Sequence, residues 1–167
     1  MKVAGIIKNS VVNGIGIRDV IFLQGCEHHC KGCHNPETWN TEGGKDMTLE
    51  EIDNELKGSS NQITISGGEP LLQYDELIVW LSYINRWHGK RFWLYTGFKY
   101  EEIPPKMLRE LARYVDVLID GRFDIEKKDL TLRFRGSSNQ RLIDLSKSLA
   151  YGRVKEWEDV NEITNKE

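Results

Sequence analysis

Gln62-Ile63-Thr64-Ile65-Ser66-Gly67-Gly68-Glu69-Pro70 opens with apolar and polar residues in alternation and closes on two glycines and a proline. The alternation predicts a strand, and the glycines and proline predict the turn that leaves it. Tyr74 to His88 follows, with Leu77, Ile78, Leu81 and Ile84 at helical spacing, and then the run Phe92-Trp93-Leu94-Tyr95. Strand, helix and strand in that order predict a βαβ unit with its two strands parallel.

The pattern repeats outward from this unit. Val20-Ile21-Phe22-Leu23 predicts a preceding strand, and Val3 to Ile7 another before it. Thr48 with Glu51 three residues on forms a capping box for a helix whose apolar face is Leu49, Ile52 and Leu56. Pro104 and Pro105 can open a helix carrying Met107, Leu108, Leu111 and Ala112, since proline suits the first turn. Val115-Asp116-Val117-Leu118-Ile119 predicts a further strand, and Thr131-Leu132-Arg133-Phe134 a weaker one. The fold class expected is α/β with a mainly parallel sheet. A closed eight-fold barrel takes about 250 residues, so a chain of 167 leaves an open doubly wound sheet or a partial barrel of five or six units. The polar residues 153–167, with three basic and five acidic side chains, are expected to form a frayed helix or a loose tail outside a domain of residues 1–152.

Composition narrows the function. With 23 Lys and Arg against 26 Asp and Glu the formal charge is −3, which argues against a dedicated nucleic-acid binder. A hydrophobic fraction of 39% is too high for a disordered chain. No stretch approaches the ~20 apolar residues of a membrane span, and no basic and apolar leader is evident. A cytoplasmic location is expected.

All three cysteines fall in Gly25-Cys26-Glu27-His28-His29-Cys30-Lys31-Gly32-Cys33-His34-Asn35-Pro36. An odd count without an export signal makes a disulfide framework improbable. A C-x3-C-x2-C loop can turn three thiolates toward one centre, and Gly25, Gly32 and Pro36 let its backbone fold back. Zinc would draw a fourth ligand from His28, His29 or His34. An iron–sulfur cluster, usually held by four cysteines, would keep one iron open for a small molecule. Free thiols are the third possibility.

The cysteine loop, residues 66–70, Thr96-Gly97, residues 120–123 and residues 135–141 each follow a predicted strand. In parallel α/β folds that edge is where ligands bind. Every one of these segments also has a plain reading. Gly67-Gly68 can be an ordinary turn or can admit a ligand close to the backbone. Asp120-Gly121 can be a simple turn, and Arg135 and Arg141 solvated charges. His28 and His29 read as loop histidines with no catalytic duty, and Trp39, Trp80, Trp87 and Trp93 as packing residues.

Cys26-x3-Cys30-x2-Cys33 together with Ser66-Gly67-Gly68-Glu69-Pro70 resembles the radical S-adenosylmethionine superfamily. Residues 13–18, Gln24-Gly25-Cys26, residues 32–39, Tyr95-Thr96-Gly97, residues 117–123 and residues 135–141 narrow the resemblance to activases of anaerobic (class III) ribonucleotide reductase. Most of the superfamily places an aromatic residue before the last cysteine; Gly32 stands there, as is usual in the activase subgroup. The resemblance implies a partial (β/α) barrel. It implies that Cys26, Cys30 and Cys33 hold three irons of one [4Fe–4S] cluster, with S-adenosylmethionine on the fourth. Gly32, Cys33, His34, Gly67 and Gly68 would contact that cofactor, with no catalytic residue beyond the cluster ligands. One electron would cleave the sulfonium to a 5′-deoxyadenosyl radical, which would take a hydrogen from a glycine of the reductase. A flavodoxin or ferredoxin would supply the electron. Nucleic acid and membrane partners are not implied. Two other functions remain open at this point: activation of a different glycyl radical enzyme, of the pyruvate formate-lyase type, and a non-catalytic zinc or iron–sulfur module.

Overall fold

The computed structural model describes residues 1–59 and 61–158, and these described residues form one seven-stranded sheet with four α-helices. The strands are β1 (Lys2–Ser10), β2 (Arg18–Leu23), β3 (Lys45–Asp46), β4 (Gln62–Gly67), β5 (Phe92–Tyr95), β6 (Val115–Asp120) and β7 (Arg141–Asp144). The helices are α1 (Leu49–Leu56), α2 (Tyr74–His88), α3 (Pro105–Leu111) and α4 (Leu145–Tyr151). The expected capping box is present: Thr48 Oγ1 accepts from the Glu51 N–H at 3.2 Å, and Glu51 accepts from the Thr48 N–H at 2.8 Å.

The strand order is β3-β1-β2-β4-β5-β6-β7. The central run β2-β4-β5-β6 is parallel, while β1, β3 and β7 pair antiparallel. The sheet is therefore only partly parallel, which corrects the expectation of a mainly parallel one. Among the described residues α1, α2 and α3 each lie between two parallel strands of that run, so three βαβ units replace the five or six expected. The strands that flank them need no crossover helix, because antiparallel neighbours can be joined by turns and loops.

Alternation along the strands sorts the two faces. Ile21, Leu23, Ile63, Ile65, Phe92, Leu94 and Leu118 meet buried residues of all four helices in the main core. The opposite face carries Trp93, Val117, Ile119 and Leu142, with Ile15, Tyr95, Phe134 and Trp157 packed on them. A doubly wound sheet would have helices on both faces, and here the buried helical residues gather on one. The second face is also partly polar. Buried Arg18 donates from Nε to Thr64 Oγ1 at 2.7 Å and from Nη2 to the Ile63 carbonyl at 2.6 Å, and lies 5.3 Å from the centre of the Trp93 ring. Burial draws its guanidinium down to about 10.

Two expectations about the C-terminal part change. Residues 131–134 are not a strand: Phe134 sits at φ +61°, in the left-handed region a strand excludes, and the segment folds as turns. The last strand is β7 instead. Residues 153–158 run beside it, with the Asp144 N–H donating to the Lys155 carbonyl at 2.9 Å and the Trp157 N–H to Leu142 at 2.8 Å. That pairing covers an otherwise open edge and sets Trp157 edge-on to Trp93, ring centres 5.0 Å apart. Residues 159–167 of the expected tail, and the side chain of Trp87, lie outside the described residues. Trp157→Ala should lower the unfolding free energy by about 2 kcal/mol in urea titrations, the loss expected for a half-buried indole.

Candidate functional site

The cysteine loop begins where β2 ends and is tied at once to two neighbours. The Gly25 N–H donates to the Thr38 carbonyl at 2.7 Å and the Cys26 N–H to Trp39 at 3.1 Å. From β4, the Gly68 N–H donates to the Leu23 carbonyl at 2.8 Å and the Glu69 N–H to Gly25 at 2.7 Å. These bonds bring the two backbones so close that side chains cannot fit. A Cβ on Gly68 would lie 2.2 Å from the Gly25 oxygen, and one on Gly67, at φ +110°, 2.4 Å from the Leu23 backbone. The double glycine thus serves first to let β4 cross the root of the cysteine loop.

A cavity of about 960 Å³ opens at this edge of the sheet. Cys26, Cys30, Cys33, His34, Gly67 and Gly68 line it together with Phe22, Ser66 and Tyr95 from the partly polar face. Gly32 is not among the lining residues, and a Cβ there would lie 2.9 Å from Ile125. Burial pushes the Cys26 and Cys30 thiols up. The Asn35 N–H donates to Cys33 Sγ at 3.4 Å. Among the described residues no three His, Cys, Asp or Glu side chains gather around a single metal-ion position.

His28 and His34 both line the cavity, and each histidine of the loop has its own contact. His28 Nε2 lies 2.8 Å from Glu69 Oε2, with the two side chains 6% and 1% exposed. His29 Nδ1 lies 3.1 Å from the Glu27 carbonyl, and the His34 ring packs on Phe123, centres 5.0 Å apart. Glu69 has no exposed oxygen to offer. It accepts from the Leu71 N–H at 3.0 Å, the Thr96 hydroxyl at 2.8 Å and the Gly97 N–H at 2.7 Å as well as from His28. One carboxylate therefore joins the cysteine loop, the end of β4 and the end of β5. Reading the sequence missed these roles for Glu69 and His28, and only the Gly-Gly-Glu run hinted at the first.

Residues 135–140 lead into β7, which Arg141 opens, rather than follow directly on a strand, yet they reach the same edge, because β7 runs antiparallel to β6. The two arginines there divide. Arg141 donates to Asp120 and, at 2.8 Å, to Glu101, and so clamps the sheet end. Arg135 lines the cavity with Nη1 held by the Gln140 carbonyl at 3.0 Å. Trp39 also lines the cavity, while Trp80 and Trp93 are packing residues as expected. Residues 11–17 form a further wall; residues 13–18 carry part of the family resemblance, but nothing in the sequence placed them at this edge.

A family model described as "4Fe-4S single cluster domain" matches residues 12–143. The chain is similar to proteins named anaerobic ribonucleoside-triphosphate reductase-activating protein. That of Haemophilus influenzae is 39% identical over 139 residues, 78% of this chain and 89% of that protein. That of Enterobacteria phage T4 is 41% identical over 142 residues, covering 78% and 86%. That of Escherichia coli K12 is 35% identical over 140 residues, covering 78% and 90%. No helix of the described residues is long and apolar enough to cross a membrane.

Gly68→Ala should cost about 1–3 kcal/mol in urea unfolding, because its new methyl meets backbone that cannot step aside. Gly97→Ala should also destabilise, since its Cβ would lie 2.3 Å from Cδ2 of the His28 ring, which Glu69 and Phe98 hold in place.

Proposed function

This chain belongs to the family of anaerobic ribonucleoside-triphosphate reductase-activating proteins and carries a 4Fe-4S single cluster domain, and from that premise we propose that it is a radical S-adenosylmethionine activase of anaerobic ribonucleotide reductase. The observation that carries this reading is that three thiols of one loop line, with the Gly67-Gly68 turn, one cavity over the ends of parallel strands. The sheet supports a partial (β/α) barrel, with helices on one face and the cavity at the end of the other.

The donor set fits an iron–sulfur cluster better than zinc. Three sulfurs leave one metal corner without a protein ligand, and each histidine that could complete a zinc site has another contact: His28 with Glu69, His29 with the Glu27 carbonyl and His34 with the Phe123 ring. Cys26, Cys30 and Cys33 would hold the cluster, while His34 and the Gly67-Gly68 backbone would border S-adenosylmethionine. When bound, the pair would supply one-electron reductive cleavage of the sulfonium and, through it, hydrogen abstraction from a glycine of the reductase. The chain's own residues place and enclose. Phe22, Trp39, Tyr95 and Phe134 give the cavity apolar walls that keep water from a reactive species. Its rim carries Val11, Val12 and Leu130, which are 66%, 70% and 82% exposed, and suits the approach of a polypeptide rather than a small polar substrate. Arg135 stands on the same wall, where its guanidinium can meet a carboxylate of that polypeptide. The electron would come from a low-potential protein such as a flavodoxin or ferredoxin, and the location would be cytoplasmic.

Anaerobic reconstitution with iron and sulfide should give a brown protein that, once reduced, converts S-adenosylmethionine to 5′-deoxyadenosine. Mixed with the reductase it should give a glycyl radical signal by EPR. Protein lacking all three cysteines should do neither; deoxyadenosine from it, or a colourless wild type holding one zinc, would refute the reading. Arg135→Ala should lower the radical yield and leave iron content unchanged.

A further inference from the structure

We propose that His28 is a positioning residue, whose hydrogen bond to Glu69 fixes the span between Cys26 and Cys30 against the Gly67-Gly68 turn. The inference rests on the reading above, in which those thiols and that turn hold two parts of one reactive assembly.

The span needs such a tie. Residues 27–30 have no regular secondary structure, and His29 sits at φ +47°. Among the described residues, no backbone N–H or carbonyl of residues 27–29 pairs with the backbone of another element, and the His28 and His29 N–H groups turn to Cys26 within the loop. The His28 side chain makes that connection, across 41 positions of sequence. Its ring is held on three sides. Nε2 faces Glu69 Oε2, the ring stands edge-on to Phe98 with centres 4.7 Å apart, and Gly97 leaves the room its Cδ2 occupies. Because the carboxylate accepts, the proton between them sits on Nε2. The pair is almost wholly removed from water, where a hydrogen bond is less easily exchanged.

Glu69 passes the restraint onward. It follows the double glycine directly, and the same Oε2 that meets His28 also accepts from the Gly97 N–H. With every oxygen occupied by protein donors, Glu69 acts on the thiols through His28. The cysteine loop and the glycine turn are therefore one rigid piece, and a change in either is felt by the other.

The test uses the full chain as wild type, His28→Phe, His28→Ala and His28→Gln. Phe keeps a ring in the slot without the donor, and Gln keeps a donor near the Nε2 position. In metal-free protein, hydrogen exchange of residues 27–30 should accelerate about tenfold in the Phe and Ala variants, the scale of one lost hydrogen bond to a charged group. Exchange in α2 should be unchanged, and Gln should restore protection. In anaerobically reconstituted, reduced protein, titration of the cluster EPR spectrum with S-adenosylmethionine should show affinity falling about tenfold in the Phe variant and recovering in the Gln variant. Iron and sulfide content should hold, and the losses from His28→Phe and Glu69→Gln should not add in the double variant. Unchanged exchange in the Phe variant, additive losses, or failure of Gln to rescue would overturn the proposal. If His28→Ala does not fold, the Phe and Gln variants still decide. A wild type that never responds to S-adenosylmethionine would refute the proposed function, and the exchange comparison would still judge His28.

Discussion

The carboxylate of Glu69 is the junction on which this structure's working edge depends. It is buried and accepts from donors on three separate elements: the cysteine loop, the turn after its own strand and the end of β5. A buried carboxylate is costly unless its lone pairs are filled, so each donor is under pressure to stay where it is. The glycines around it follow from the same demand. Gly67 and Gly68 let two backbones touch, and Gly97 lets an imidazole slide beneath the neighbouring strand end.

Below this junction the sheet changes character along its open face. At one end Arg18, Thr64 and Trp93 form a closed polar and aromatic plug, with Thr64 Oγ1 donating in turn to the Asn13 carbonyl at 2.7 Å. At the other end the same strands offer Phe22, Ser66 and Tyr95 to the cavity. One face is thus filled at its base and hollow at its top. The parallel run β2-β4-β5-β6 makes this possible, because it delivers four loops to the same edge. Antiparallel β7 adds a fifth segment to that edge from the opposite chain direction.

Much of this was legible in the residues. Gln62-Ile63-Thr64-Ile65 and Phe92-Trp93-Leu94-Tyr95 alternate as strands must, and Leu77, Ile78, Leu81 and Ile84 could only be one side of a helix. The misreading of residues 131–134 has a physical cause. Thr-Leu-Arg-Phe alternates like a strand, but its phenylalanine turns into the left-handed region so that its carbonyl can accept from the Tyr95 hydroxyl at 2.6 Å. The true strand Arg141–Asp144 offers only Leu142 and Ile143 between two charges, too short a signal for periodicity. The three cysteines announced themselves by spacing. His28 and Glu69 did not, since local patterning carries no trace of a bond between residues so far apart in the chain. In sequence the double glycine reads as room for a guest, whereas its tightest constraint comes from the chain itself.

Between β6 and β7 lies a connection without an α-helix, residues 121–140, fastened by Lys128 pairing with Ser137, by Gln140 reaching Gly121 and by Asn139 reaching Arg122. It supplies one whole flank of the cavity yet holds none of the sulfur donors. Surface connections of this sort accept insertion and replacement at small entropic cost. The molecule is in that sense modular: this flank could be recut while the three cysteines on the opposite bank stay untouched.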